Sequence, residues 1–173
     1  MTEPRIYVAC LAAYNNGCLH GEWIDANQSV DELGAAIEKM LAASPVPGAE
    51  EWAIHDYEGF GSLRLSEWES FKRVSDIAAG ISLHGPAYAA WLAYDDSRDP
   101  ADIDSFCDNY RGEWNSLRDY AEDFAESIGL YDLAEKAGSP YVTVDIDMLE
   151  RDLDIEMYTV ESGHGLYVFD PNV

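Results

Sequence analysis

The sequence predicts an α+β protein, an elongated chain of three small domains. Three observations carry this expectation. Two β-rich runs around a turn open the chain and lead into a capped amphipathic helix. The pattern becomes wholly helical after Gly59-Phe60-Gly61, a plausible hinge. A mixed segment then closes on strand-like runs either side of Ser162-Gly163-His164-Gly165. The expected division is an N-terminal α/β domain at 1–60, a helical middle domain at 61–106, and a C-terminal α/β domain at 107–173.

Each element has a local reason. Arg5 to Leu11 is rich in β-formers, Asn16-Gly17 is a turn signal, and Cys18 to Ile24 reads as the returning strand. Ser29 with Glu32 three residues on forms a capping box, and Val30, Leu33, Ile37, Met40 and Leu41 follow helical spacing. Ser44 to Gly48 ends that helix, and Glu51 to Asp56 reads as a third strand. Ser66 and Glu69 suggest a second capping box, with Trp68, Phe71, Val74 and Ile77 as a core stripe. Gly85-Pro86 opens a helix to about Tyr94, with Pro86 in the first turn. Asp99 is expected to cap a short helix with Ile103 and Phe106 inward. Tyr110 to Trp114 is ambiguous and admits a short strand. Ser116 caps a helix with Leu117, Tyr120, Phe124 and Ile128 as core positions, ended by Gly129. Tyr131 to Ala137 reads as one or two helical turns, and a helix is expected from about Asp145. Ile155 to Val160 and Leu166 to Phe169 form the closing hairpin.

The chain has 173 residues with 34 acids and 10 bases, a net charge of −24. Apolar residues make up 47%, enough to bury a core, so the charge does not signal disorder. The balance excludes binding of DNA, RNA or anionic lipid through a basic face, because phosphates would be repelled. No apolar run is long enough to span a membrane, and the first residues lack the features of a secretion signal. Cys10, Cys18 and Cys107 are scattered and odd in number, which fits a reducing cytoplasm.

Charge is uneven. Residues 1–94 hold 13 acids and 5 bases, whereas residues 95–173 hold 21 acids and 5 bases. Asp119, Glu122, Asp123 and Glu126 recur at i, i+3, i+4 and i+7, which places four carboxylates on one helix face about 5–6 Å apart. A second cluster is Asp95, Asp96, Asp99, Asp102, Asp104 and Asp108. A third is Asp145, Asp147, Glu150, Asp152, Asp154 and Glu156, with Asp132 and Glu135 between. Solubility alone asks for a net charge of only about 2–8 in a small domain. Duplex DNA carries one charge per ~1.7 Å of axis, so −24 matches roughly 40 Å of duplex. These eighteen acids are the candidate partner-binding, phosphate-mimicking residues.

Other chemistry is poorly supported. Asp145 to Glu156 begins like a calcium loop, but Leu149 and Glu150 occupy positions that need an oxygen ligand and a glycine. Cys10, Cys18 and His20 lack a fourth zinc ligand. His20 and His55 lie on expected strands and His164 in a turn. There is no H-E-x-x-H, G-x-S-x-G or phosphate-binding loop. No catalytic residue, metal or cofactor is therefore expected.

Several segments together resemble a known family. Ile6 to Ala9, Tyr14-Asn15, Gly17 and His20 to Ile24 look like the start of ArdA antirestriction proteins. Glu50 to Glu58, with its Ile54-His55-Asp56-Tyr57 element, is similar to that family's most recognisable segment. Tyr110-Arg111-Gly112, Tyr120-Ala121, Arg151-Asp152-Leu153 and Gly163 to Phe169 follow in order. The resemblance implies a DNA mimic carried by plasmids, transposons or phages and acting in the cytoplasm of a bacterial host. It implies inhibition of type I restriction–modification enzymes through the DNA groove of the methyltransferase core. It also implies an elongated, curved homodimer joined through the C-terminal domain, and an antirestriction segment near Ile128 to Lys136.

Two other readings stay open at this level. One is an acidic module for another basic DNA-binding protein, such as a nucleoid protein or RNA polymerase. The other is an ordinary protein of a halophile. For the dimer contact, the apolar hairpin residues Tyr158, Val160, Leu166, Tyr167, Val168 and Phe169 are one candidate, and a core strand pair is the alternative.

Overall fold

The first strand, β1 (Arg5–Cys10), is the centre of a three-stranded antiparallel sheet in the order β2-β1-β3, with β2 at Gly21–Asp25 and β3 at Trp52–Glu58. Its position follows from its residues: Ile6, Val8 and Cys10 alternate along the strand and are fully buried. The computed structural model describes residues 2–95 and 97–173. They divide into two compact units, one ending at Ile103 and the other running from Asp104 to Val173.

In the first unit, β1 and β2 pair as expected, with Ile6 opposite Ile24 and Val8 opposite Glu22. The connection differs from a tight turn. Leu11–Asn15 forms a short helix α1, Asn16 caps its C-terminus, and Gly17 takes φ 74°. The Asn-Gly signal thus terminates a helix, because a helix end and a tight turn ask for the same left-handed residue. Helix α2 (Val30–Ala42) starts from the capping box at Ser29 and Glu32 and buries Leu33, Ile37 and Met40.

Helix α3 (Phe71–His84) begins later than the Ser66–Glu69 signal suggested. Ser70 is its N-cap, accepting from the Arg73 N–H at 3.2 Å. Ser66 instead closes a separate turn through the Trp68 N–H at 3.3 Å. Trp68 therefore lies outside the helix and is 64% exposed, not part of the core stripe. Val74 and Ile77 are buried as expected. Helix α4 (Pro86–Tyr94) has Pro86 at its start and buries every residue from Ala87 to Leu92. It packs on α3 at Gly80, where an added Cβ would stand 2.1 Å from the Tyr88 ring. The Tyr88 hydroxyl donates to the Pro100 carbonyl at 2.6 Å. Asp99 caps only a local turn, accepting from the Ala101 N–H at 2.9 Å, and helix α5 starts at Ile103 (Ile103–Asn109).

The second unit holds an antiparallel sheet in the order β4-β6-β5, formed by Tyr110–Trp114, Leu166–Phe169 and Tyr158–Glu161. Helices α6 (Leu117–Ser127), α7 (Leu130–Lys136) and α8 (Ile146–Glu156) accompany it. Ser116 caps α6 through the Asp119 N–H at 3.1 Å, and Asp145 caps α8 through the Met148 N–H at 2.9 Å. The core is small: Tyr120, Ala121, Leu153 and Val168, with Trp114, Leu117, Phe124 and Leu149 packed around it. A chain of rings, Phe106, Tyr110, Phe169 and Tyr158, adds to it, with successive centroids 5.2, 5.4 and 5.9 Å apart.

Two sequence expectations fail here for one reason, the exact phase of a helix. Helix α6 ends at Ser127, so Ile128 is its C-cap and 51% exposed, not a core position. Helix α8 runs through Glu156, so Ile155 is helical and 84% exposed, and the closing hairpin begins only at Tyr158. Leu153 takes the inward side, and two residues on is nearly the opposite face of a helix.

Candidate partner-binding surface

The amphipathic pattern of α6 fixes where its acids go. Tyr120, Ala121 and Ala125 face the core, so Glu122, Asp123 and Glu126 are exposed. Asp119, in the first turn, is only half-exposed and complements the helix dipole there. On α8 the inward residue is Leu153, and Asp147, Asp152, Asp154 and Glu156 are exposed, with Glu150 half-exposed. Asp132 and Glu135 are exposed on α7. Asp104 and Asp108 are exposed on α5. In the first unit Asp95, Asp99 and Asp102 are exposed, and Asp96 lies outside the described residues.

The helices α6 and α8 bring three of these acids together around one base. The Arg118 guanidinium lies 2.6 Å from Asp147, 3.4 Å from Glu150 and 3.5 Å from Glu122. The hydrogen bond from Arg118 holds the Asp147 carboxyl below the usual carboxylate range, and the ion pair adds to that. The same contacts raise the Arg118 pKa. Sequence reading missed Arg118. The i, i+4 spacing to Glu122 was visible, but Asp147 and Glu150 lie 29 and 32 residues on.

Other acids are held by local hydrogen bonds. The hydroxyl and N–H of Ser97 both donate to Asp95, at 2.7 and 2.9 Å, and lower its pKa. Asp170 is pushed up by burial, but donors from Asn172 and Arg111 outweigh this and hold it below the usual range. The Arg111–Asp170 pair spans 3.1 Å and ties β4 to the end of β6.

The residues that carried the family resemblance have structural roles. Ile54 is buried on β3, and the His55 ring meets Tyr14 edge-on with centroids 5.0 Å apart. Gly112 takes φ 107° at the bulge of β4 against β6. At Gly165 a Cβ would stand 2.0 Å from the Trp114 carbonyl oxygen, so the hairpin admits only glycine there. Leu153 of the Arg151-Asp152-Leu153 element is a core residue. Among the described residues, no three His, Cys, Asp or Glu side chains converge as metal ligands. The span from Ile146 to Glu156 that began like a calcium loop is a helix. Among the same residues, no helix is long and apolar enough to cross a membrane.

The second unit thus exposes carboxylates along helices whose inner faces are packed, three of them gathered on Arg118. A search of curated proteins returns no match. The family model described as antirestriction protein (ArdA) matches residues 6–168 of the 173. That match spans both sheets except the end residues Arg5 and Phe169, and all the acid-bearing helices, and it establishes that the chain belongs to the ArdA antirestriction family, inhibitors that act on restriction enzymes.

Proposed function

We propose that this protein inhibits type I restriction–modification enzymes by occupying the DNA groove of the methyltransferase core. The observation that carries the reading is the placement of carboxylates on α6 and α8, outward on helices whose inner faces are fixed by Tyr120 and Leu153. Neighbouring acids on such helices stand about 5–6 Å apart, a spacing that can engage lysines and arginines evolved to hold phosphates. The eighteen acids named above, all those from Asp95 to Glu156 except Glu113, are the proposed contact set. The binding is distributed, so it weakens with salt as DNA binding does. The protein acts in the cytoplasm of a bacterial host, where these enzymes work.

The three-domain division belongs to the same reading, as does a homodimer joined through residues 107–173. The apolar residues of the closing hairpin largely serve the unit's own core, since Tyr167, Val168 and Phe169 are buried. Among the exposed apolar side chains of the second unit are those at α7 and the start of α8. There a cleft of about 380 Å³ is lined by Leu130, Leu133, Val142 and Met148. Sedimentation at micromolar concentration tests the dimer, and a monomer there removes it.

The test of function is competition. A type I methyltransferase core is held on a labelled duplex, and the protein is titrated in at two salt concentrations. Displacement that weakens with salt is the expected result. No displacement at low salt would sink the restriction-enzyme reading in favour of another basic partner.

A further inference from the structure

We propose that Trp68 is a stacking seat for an arginine side chain of the protein's partner. The chain has five tryptophans, and four of them have partners within their own unit. Arg5 lies over Trp23 at 4.7 Å, and Arg98 lies over Trp91 at 4.6 Å. Trp52 stacks on Phe71 at 4.9 Å, and Trp114 meets Tyr120 at 5.5 Å. Trp68 has no ring or cation partner among the described residues and is 64% exposed. A tryptophan left in water gives up a large burial gain, and such residues dominate protein interfaces.

The surroundings name the occupant. Trp68, Trp52, Phe71, Ser70 and Glu69 line one cleft of about 300 Å³. Its floor is aromatic, and at its edge stands the Glu69 carboxylate, which pairs with its own Arg73 at 3.8 Å and accepts the Ser66 N–H at 3.4 Å. Residues 50–73, which include the cleft and its flanking Lys72 and Arg73, hold six acids and three bases, a net −3, so the local charge favours a cation. A planar guanidinium stacks on indole and donates to carboxylate at once, which an ammonium does less well. The same unit already uses guanidinium over indole twice. This inference rests on the reading that a basic protein surface is bound, but not on that surface being a type I enzyme.

Two arms test it. In the first, an octa-arginine peptide is titrated into the protein while the indole N–H resonances are followed by NMR. The Trp68 signal is assigned by its absence in Trp68→Phe. That signal is expected to shift, with octa-lysine shifting it less. Equal shifts with the two peptides, or no movement at saturation, would overturn the proposal. In the second arm, Trp68→Ala and Trp68→Phe are compared with the wild type for displacement of DNA from the methyltransferase core. Trp68→Ala is expected to weaken binding about 3- to 30-fold with an unchanged salt slope, and Trp68→Phe to recover part of it. Unchanged affinity in Trp68→Ala, beside a wild type that binds, would also overturn it. Failure of the wild type itself to bind sinks only the restriction-enzyme reading, and the peptide arm still decides. A dimer that Trp68→Ala converts to monomer would assign the ring to a second copy instead. Circular dichroism checks that both variants fold.

Discussion

The two units carry the same number of acids on very different amounts of core. Residues 1–103 hold 17 acids and 6 bases, a net −11, and residues 104–173 hold 17 acids and 4 bases, a net −13. Among the described residues, 24 buried apolar residues lie in the first unit and only 8 in the second. In the first unit the acids ride on a core that α4, buried on every side, holds together. In the second, the helices that display the charge are the same ones that build the core. A change on α6 or α8 is therefore felt in both stability and surface, whereas in the first unit the two can be altered separately.

The largest effect tests where inhibition resides. Neutralising Asp119, Glu122, Asp123 and Glu126 together is expected to abolish displacement of DNA from the methyltransferase core. Neutralising Glu3, Glu22, Asp31 and Glu38 in the first unit is expected to leave it largely intact. Equal losses would erase the contrast between units and leave a general field of charge.

Next comes the thin core. Leu153→Ala is expected to cost about 2–5 kcal/mol, the usual range for such a truncation in a core. Hydrogen exchange should then show lost protection in β4, β6 and α6, with β1 to β3 still protected. Loss spread evenly over both sheets would mean that the units do not differ in this way.

Removing Arg118 should act in the same direction but less strongly. Arg118→Gln leaves Glu122, Asp147 and Glu150 without their shared cation, so the second unit is expected to unfold at lower urea. Salt near 1 M, where the screening length is ~3 Å, should remove most of that difference. The effect also has a pH signature. Asp147 has a lowered pKa in the folded state through its bond from Arg118. A depressed carboxylate stabilises above its unfolded value, about 3.9, and that contribution is lost as pH falls through the folded value. The gap between wild type and Arg118→Gln should thus be full at neutral pH and close in acid. A gap that stayed constant down to pH 2 would show that Arg118 acts through packing instead.

The smallest expected effect is a single neutralisation. Asp123→Asn should weaken binding to the core only severalfold and lower the salt slope by about one. Complete loss from this one change would replace a distributed surface by a specific site.

Much of the architecture was legible because local chemistry decided it. Ser29 with Glu32, Pro86 and Ser116 each mark a helix start that needs no distant contact. The misreadings arose where two local signals compete. Ser66 and Ser70 are both fit to cap, and the chain uses the second, which moved Trp68 out of the core. Ile128 and Ile155 are apolar residues whose helices put them on the wet side, and only tertiary packing sets that phase. The acid rows could be seen from spacing, but the base that gathers acids from α6 and α8 could not, because Asp147 and Glu150 reach Arg118 only in the folded chain.

The order of strands in the two sheets has a consequence for synthesis. In the first sheet the strand made first is the central one, so β2 and then β3 add to it as they leave the ribosome. In the second sheet the central strand is the last made. Strands β4 and β5 share no hydrogen bonds and wait for β6 to come between them. All the acids of α6 to α8 are thus translated before the sheet beneath them can close. Strands β4 and β5 can therefore join one sheet only after Leu166–Phe169 has been made. A nascent or truncated chain that stops short of that strand carries nearly all the charge of the finished protein without its shape.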